Sequence, residues 1–404
     1  MDTGGKIRTG KILEQLNKHF EVVVIGNYDP RTESTYLQEM NRLCRRFIPV
    51  EWRETPRTSP TFYLKLLLQS CSPYPITVLN TVSKPLENKL LEVIRSEDFD
   101  VILCDFVQPA LMLRHITNHK TILFQHNVES MITKRHVEQS TNCLAKLFWW
   151  LQWKKLYTYE RYHCQQFDAV IAVSETDAEF FRREYDTPQV TVIPTGVDIE
   201  YYDPKGYALP QAAHLVFCGS MDWLPNEDGM QFFLREAWPL ISRKIPHAQL
   251  TIVGRRPSEA LQAMANRAGN VRLTGWVDDT RPYLAAGSVF IVPLRIGGGT
   301  RMKIYEAMAM QRAVVSTTIG AEGLPLRDAE HIVIRDDPQT FATACIDLIE
   351  QEEYRHRIAA SGAAFVRDHF GWSAVATVFR EACVATAEAH LGAQTCLAPT
   401  GTDV

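Results

Sequence analysis

The 404-residue sequence holds no stretch approaching the roughly 18 apolar residues that a membrane-spanning helix needs. Its amino terminus, MDTGGKIRTGK, lacks the apolar segment of a secretory signal peptide. A basic surplus is missing as well. Lys and Arg number 43 against 47 Asp and Glu, a net charge of −4, which removes the usual electrostatic footprint of a nucleic-acid binder. The nine cysteines are odd in number and never form a CxxC pair, so neither a zinc site nor a disulfide framework is expected. No GxGxxG follows an early strand with an acid about twenty residues on, which argues against a Rossmann dehydrogenase. These absences predict a cytoplasmic, soluble protein with reduced thiols and about two domains.

What is present is an alternation of short apolar runs with longer helix-patterned segments. In the first half the runs are Glu21–Ile25, Val101–Cys104, Thr121–Phe124, Ala169–Val173 and Val190–Ile193. In the second half they are His214–Cys218, Gln249–Val253, Val271–Leu273, Val289–Val292, Ala313–Ser316 and His331–Ile334. Runs that are apolar on both faces, with helices between them, argue for parallel sheets covered on both sides. Two such series predict two doubly wound α/β domains, with the boundary in the turn-rich segment after Ile193. At the front, Gly4-Gly5-Lys6 reads as a strand-to-helix turn before a helix over Ile7–Asn17. Only Met1-Asp2-Thr3 precede it, so the expectation is a first strand that the chain does not carry, or a flexible terminus before an ordinary helix.

The most informative stretch is VPLRIGGGTRMKIYEAMAMQRAVVSTTIGAEG at 292–323. Gly297, Gly298, Gly299 and Thr300 form a turn whose backbone N–H groups suit an anion, since glycine allows close approach and positive φ. The helix starting near Arg301 points its positive end at the same place, and Arg301 and Lys303 add two cations. Together they suit a diphosphate better than a single phosphate. Glu306, one turn further, offers two oxygens to vicinal hydroxyls such as those of a ribose. His126 directly follows the run TILF, and ligands of open α/β sheets bind outside the carboxyl ends of strands. Turns at Gly219-Ser220, Gly254-Arg255 and Gly275-Trp276-Val277 follow three further strands and open onto one sheet edge. The aromatic and basic segment Lys146–Tyr162 admits two readings, a helix at a membrane surface or a long helix packed on its sheet.

These residues resemble the retaining, nucleotide-sugar-dependent glycosyltransferases of family 4, which have the GT-B architecture. The likeness is carried by VIPTGVD (192–198), VFCGSMDWLPN (216–226), LTIVG (250–254), LTGWVDD (273–279), PLRIGGGTRMKIYEAMAM (293–310) and GAEGL (320–324). In the first half GGKIRT, QHNVE and AVSE match more loosely. The resemblance implies two Rossmann-like, doubly wound domains facing a cleft. They are an acceptor domain at 1–195 and a nucleotide-sugar domain at 196–375, followed by a crossover helix and tail at 376–404. By the same resemblance Glu306 binds the ribose, and His126 lies close to the transferred sugar. Gly4 and Gly5 face the diphosphate, and the backbone at Trp276 and Val277 holds the base. Gly219, Gly254 and Arg255 belong to the nucleotide-sugar site.

Two departures stand out. Gly298 occupies the place where the family often has a first glutamate, and the turn SMDWLPN lacks the family's Arg and Lys. Arg301 and Lys303 then replace the missing charges, because a leaving diphosphate still needs stabilisation. Asp278-Asp279 falls in the base turn and not at the phosphates, so no metal and no resident cofactor are expected. The implied activity is transfer of a sugar, with retention, from a nucleotide-diphosphate sugar to a glycan or lipid-linked acceptor. The alternatives are an epimerase of the same architecture and a non-catalytic nucleotide- or carbohydrate-binding relative.

Overall fold

The computed structural model describes residues 4–31, 33–53, 69–140, 142–296 and 301–395. The chain divides into two compact units, Met1–Pro194 with Ala376–Val404, and Thr195–Val375. Both are built from parallel strands with helical crossovers, the two Rossmann-like domains that the apolar runs predict.

The first unit runs α1 (Gly4–Leu16), β1 (Val23–Tyr28), α2 (Ser34–Leu43), β2 (Arg46–Glu51), α3 (Lys84–Ser96), β3 (Val101–Asp105) and β4 (Lys120–Phe124). It continues with α4 (Glu129–Gln139), α5 (Cys143–Gln166), β5 (Ala169–Ala172), α6 (Glu175–Glu184) and β6 (Val190–Val192). Among the described residues, β1 pairs with β2, and β3-β4-β5-β6 form a four-stranded parallel sheet. Side-chain caps set several helix starts. Ser83, Asn142 and Ser174 accept from backbone N–H groups of the first turns of α3, α5 and α6.

The second unit contains β7 (Gln211–Cys218), α7 (Leu224–Phe232), β8 (Gln249–Val253), α8 (Glu259–Ala268), β9 (Val271–Leu273) and β10 (Gly287–Val292). Then follow α9 (Met302–Ala309), β11 (Ala313–Ser316), β12 (Val333–Ile334), α10 (Pro338–Glu350) and α11 (Glu352–Phe370). The sheet order is β12-β11-β10-β7-β8-β9, all parallel. Period-two alternation splits its side chains between two cores. Leu215, Phe217, Val289 and Ile291 face one apolar cluster, and Val216, Cys218, Phe290 and Val292 face the other. Each large side chain so buried contributes about 1.5–3 kcal/mol. The last helix, α12 (Trp372–Thr395), starts in the second unit and belongs to the first from Ala376 onward, where Phe379 packs edge-on against Phe124 of β4.

Several elements differ from the pattern reading. β2 lies outside the predicted strands because its sequence, RFIPVE, has a charge at each end and carries Pro49. That proline is accommodated opposite Gly26 in a strand whose one partner among the described residues is β1. The strand expected over His331–Ile334 is only Val333–Ile334. Gly4 and Gly5 lie in the first turn of α1, not in a turn before it; glycine permits either conformation, so pattern alone does not choose.

Candidate functional site

In the first unit the site forms where parallel strands β3 and β4 end side by side, Asp105 opposite Phe124. His126 follows two residues later and is buried. Its Nε2 lies 2.6 Å from Asp105 Oδ1, and Arg8 Nη1 of α1 approaches its Nδ1 at 3.1 Å. A guanidinium only donates, so Nδ1 accepts and Nε2 carries the proton that is given to Asp105. Thr9 donates to the second carboxylate oxygen of Asp105 at 2.8 Å. The Phe106 ring stacks on the imidazole at 3.9 Å, and Phe106 holds a left-handed backbone with φ of 67°. Burial lowers the Arg8 guanidinium to about 10, against the opposing pull of Asp105 and Asp177, so it stays charged at neutral pH.

Beneath this loop lies the fully buried carboxylate of Glu160 on α5. One oxygen accepts from the Gln125 side chain at 3.0 Å and from the Glu129 N–H at 2.9 Å. The other accepts from the Ser130 N–H at 3.0 Å and the Tyr185 hydroxyl at 2.9 Å. Glu160 thereby caps α4 and clamps the residue next to His126, while burial pushes its own carboxyl up to about 7.

In the second unit the predicted turns gather at the carboxyl edge of the sheet. Gly219 N–H donates to the Val253 carbonyl, and Gly254 bridges to Gly275. A Cβ on Gly254 would run into the Gly219 carbonyl oxygen, and one on Gly219 would lie 2.6 Å from Lys303 Nζ. Gly254 therefore demands glycine, because its obstacle is backbone, whereas at Gly219 the obstacles are the ends of the Lys303 and Asn226 side chains. Arg255 donates to Ser220 Oγ at 2.9 Å and pairs with Asp222 at 3.3 Å, so a cation from the neighbouring strand supplies the turn that lacks its own.

Lys303 lies in the first turn of α9, with Nζ donating to Asn226 Oδ1 at 2.8 Å and resting 4.4 Å above the Phe217 ring. Burial lowers its ammonium to about 8. Glu306, one turn on, accepts from the Tyr202 hydroxyl, and burial raises its carboxyl above the ordinary range despite Tyr202 and Lys303. Arg301 precedes α9 with its guanidinium 5.2 Å from the Trp223 ring. Gly297, Gly298, Gly299 and Thr300 lie outside the described residues. Trp276 is exposed beside Gly275, whose φ is +70°, while Val277 packs against the apolar cluster that includes Ile304 and Tyr305. A cavity of about 320 Å³, lined by Gln262, Asn266, Thr274 and Gly275 among others, adjoins this turn. Asp279 is spent on Arg281, whose guanidinium sits 3.8 Å over Tyr201.

The structure thus groups Gly219, Gly254, Arg255 and Lys303, with Glu306 and Arg301 on the same helix start. His126, Gly4 and Gly5 belong to the first unit. Pattern reading passed over Arg8, Thr9, Asp105, Glu160, Tyr202 and Asn226. Asp105 had a visible signal, since it ends the run VILC at a strand's carboxyl edge. No cluster of three His, Cys, Asp or Glu side chains able to hold a metal occurs among the described residues.

Residues 4–201 match the family model for Glycosyltransferase Family 4, and residues 212–351 match Glycosyl transferases group 1. A 44.6 kDa uncharacterized protein of the cps region of Klebsiella pneumoniae is 21% identical over 94% of this chain and 95% of its own. The phosphatidyl-myo-inositol mannosyltransferase of Mycobacterium tuberculosis is 34% identical over 46% of this chain, a match spanning 51% of its own length. Among solved structures, Anabaena Alr3699/HepE in complex with UDP superposes with a TM-score of 0.64 at 14% identity, covering 95% of this chain and 97% of its own. The chain therefore belongs to the glycosyltransferases of GT-B fold, with a Glycosyltransferase Family 4 domain followed by a Glycosyl transferases group 1 domain.

Proposed function

We propose that the chain moves a sugar, with retention, from a nucleotide-diphosphate sugar to a glycan or lipid-linked acceptor, in cytoplasmic polysaccharide or glycoconjugate synthesis. The observation that carries this reading is the pair Lys303 and Glu306, one helical turn apart at the start of α9, with the Lys303 ammonium packed close against the Gly219 turn. Lys303 and Arg301 bind the diphosphate, which takes the electron pair of the breaking anomeric C–O bond while the acceptor oxygen bonds to that carbon and gives its proton to the departing phosphate. Glu306 accepts from the two ribose hydroxyls, and the backbone at Trp276 and Val277 holds the base beside the Gly275 cavity. His126, oriented by Asp105 and Arg8, acts on the transferred sugar. These steps need no metal and no resident cofactor. The mannosyltransferase relative and the UDP held by HepE support a nucleotide-sugar donor.

A panel of nucleotide sugars tests the reading by binding, slow hydrolysis and transfer to glycan or lipid-linked acceptors. One donor is expected to bind, hydrolyse slowly and transfer. Conversion of a donor without acceptor would assign an epimerase instead, and binding without either reaction would assign a non-catalytic relative.

A further inference from the structure

Helix α5 turns an unusual face outward in its first half. Leu144, Leu147, Trp150 and Leu151 are 79%, 53%, 43% and 44% exposed, although side chains of this size are ordinarily buried. Their spacing of three, three and one residues puts them on one arc of the helix, and Lys146 and Lys154 are exposed on and beside that arc. The inward face carries Gln152, Leu156, Tyr159, Glu160, His163 and Cys164, so sheet packing accounts for the second half of the helix but not for these leucines. The mixed pattern of the sequence therefore separates by depth.

Charge identifies the occupant. The one carboxylate of α5 is Glu160, which is buried, so its outward face carries cations and no anion. The packed neighbour α4 adds Lys134, 5.7 Å from the Trp153 ring, and exposed Arg135. Across residues 132–155 five Lys and Arg stand against the single acid Glu138, in a chain whose net charge is −4. An apolar, locally cationic patch on an otherwise acidic protein matches an anionic lipid surface, where leucine and tryptophan enter the headgroup boundary and lysines meet the lipid charge. A second copy of the chain fits poorly, because a two-fold contact would set lysine against lysine.

We propose that the outward face of α5, flanked by α4, docks the protein on anionic bilayers. This deepens the reading of a lipid-linked acceptor but is tested without any sugar. The full chain is sedimented with vesicles of phosphatidylcholine alone and of phosphatidylcholine mixed with phosphatidylglycerol, at low and high salt. Binding to the mixed vesicles that weakens with salt is expected, with Trp emission shifted to shorter wavelength. Lys146→Glu with Lys154→Glu, and separately Leu147→Glu with Leu151→Glu, should each lower partitioning by about tenfold or more. All four positions are exposed, and an unchanged melting temperature confirms that the variants fold. Equal binding of all variants, no preference for the anionic vesicles, or concentration-dependent self-association abolished by the leucine changes would each overturn the proposal. Loss of vesicle binding would leave nucleotide-sugar binding untouched, so the two readings fail separately.

Discussion

Asp105 and His126 sit on adjacent strand ends with Oδ1 and Nε2 2.6 Å apart, and the histidine's other nitrogen faces Arg8. Both ring nitrogens are thereby committed, one as donor and one as acceptor. Asp105 and Arg8 fix the tautomer and the ring plane, and the stacked Phe106 fixes the tilt.

His126→Ala should leave nucleotide binding nearly intact and lower transfer at saturating donor by at least tenfold, about 1.4 kcal/mol of barrier. Asp105→Ala should show a similar loss, and the double variant should lose little more than either alone, because the two side chains act as one unit. Steady-state kinetics of the three variants checks this, and additive losses would assign Asp105 an independent role.

Lys303→Ala or Arg301→Ala should each weaken binding of a nucleoside diphosphate by about 1.5–3 kcal/mol, the scale of a charge-assisted hydrogen bond. Lys303 also brings a pH dependence. Its ammonium is lowered to about 8, so the cation, and with it diphosphate affinity, is lost as pH rises through that value. Calorimetric titration either side of about pH 8 should show the fall in the parent chain and its absence in Lys303→Ala. For stability the sign is opposite, since the unfolded chain binds the extra proton above about 8 and folding gains as pH rises toward the unfolded value.

Glu306→Gln should reduce affinity for a ribonucleotide much more than for its deoxyribose counterpart. The carboxylate can accept from two hydroxyls, whereas the amide offers one acceptor and a mismatched donor. Parallel titrations with the two nucleotides measure the difference. Equal losses would mean that Glu306 serves Tyr202 and the fold, not the ligand.

Glu160→Gln should cost about 1–3 kcal/mol of stability at low pH, because the amide NH₂ turns two hydrogens toward N–H and O–H donors where the protonated carboxyl turns one. Burial raises the folded-state carboxyl from 4.5 to about 7. Its contribution to stability is therefore fully present below 4.5 and is lost as pH rises through about 7. The variant's deficit should narrow over that window, and urea unfolding of both proteins at several pH values checks it. A constant deficit would remove burial as the source of the shift.

Much of the molecule was legible before the structure. Runs such as HLVFC and VFIV announce central parallel strands because both faces are buried, and β7 and β10 do feed two cores with alternate residues. The helix start at Met302 was legible too, since the helical pattern of MKIYEAMA follows directly on a glycine-rich stretch. β2 was not, because a strand with one observed partner needs no continuous apolar run and tolerates Pro49. Glu160 was invisible for a different reason. On a helix rich in Lys and Trp it reads as a solvated glutamate, and only the packing of α5 under the His126 loop brings four donors to it.

By itself the sequence determined the periodicities, and with them the parallel strands, the glycine turns after them and the cations at the start of α9, all of which are local in the chain. Tertiary structure alone decided which distant side chains meet. Arg8, Asp105 and His126 are separated by about a hundred residues in part, and become neighbours because β3 and β4 pair in parallel register with α1 laid across their ends. It also decided which leucines of α5 face outward, since one amphipathic pattern admits either burial until a neighbour covers one side. Register and packing are properties of pairs of segments, and a single segment read alone does not contain them.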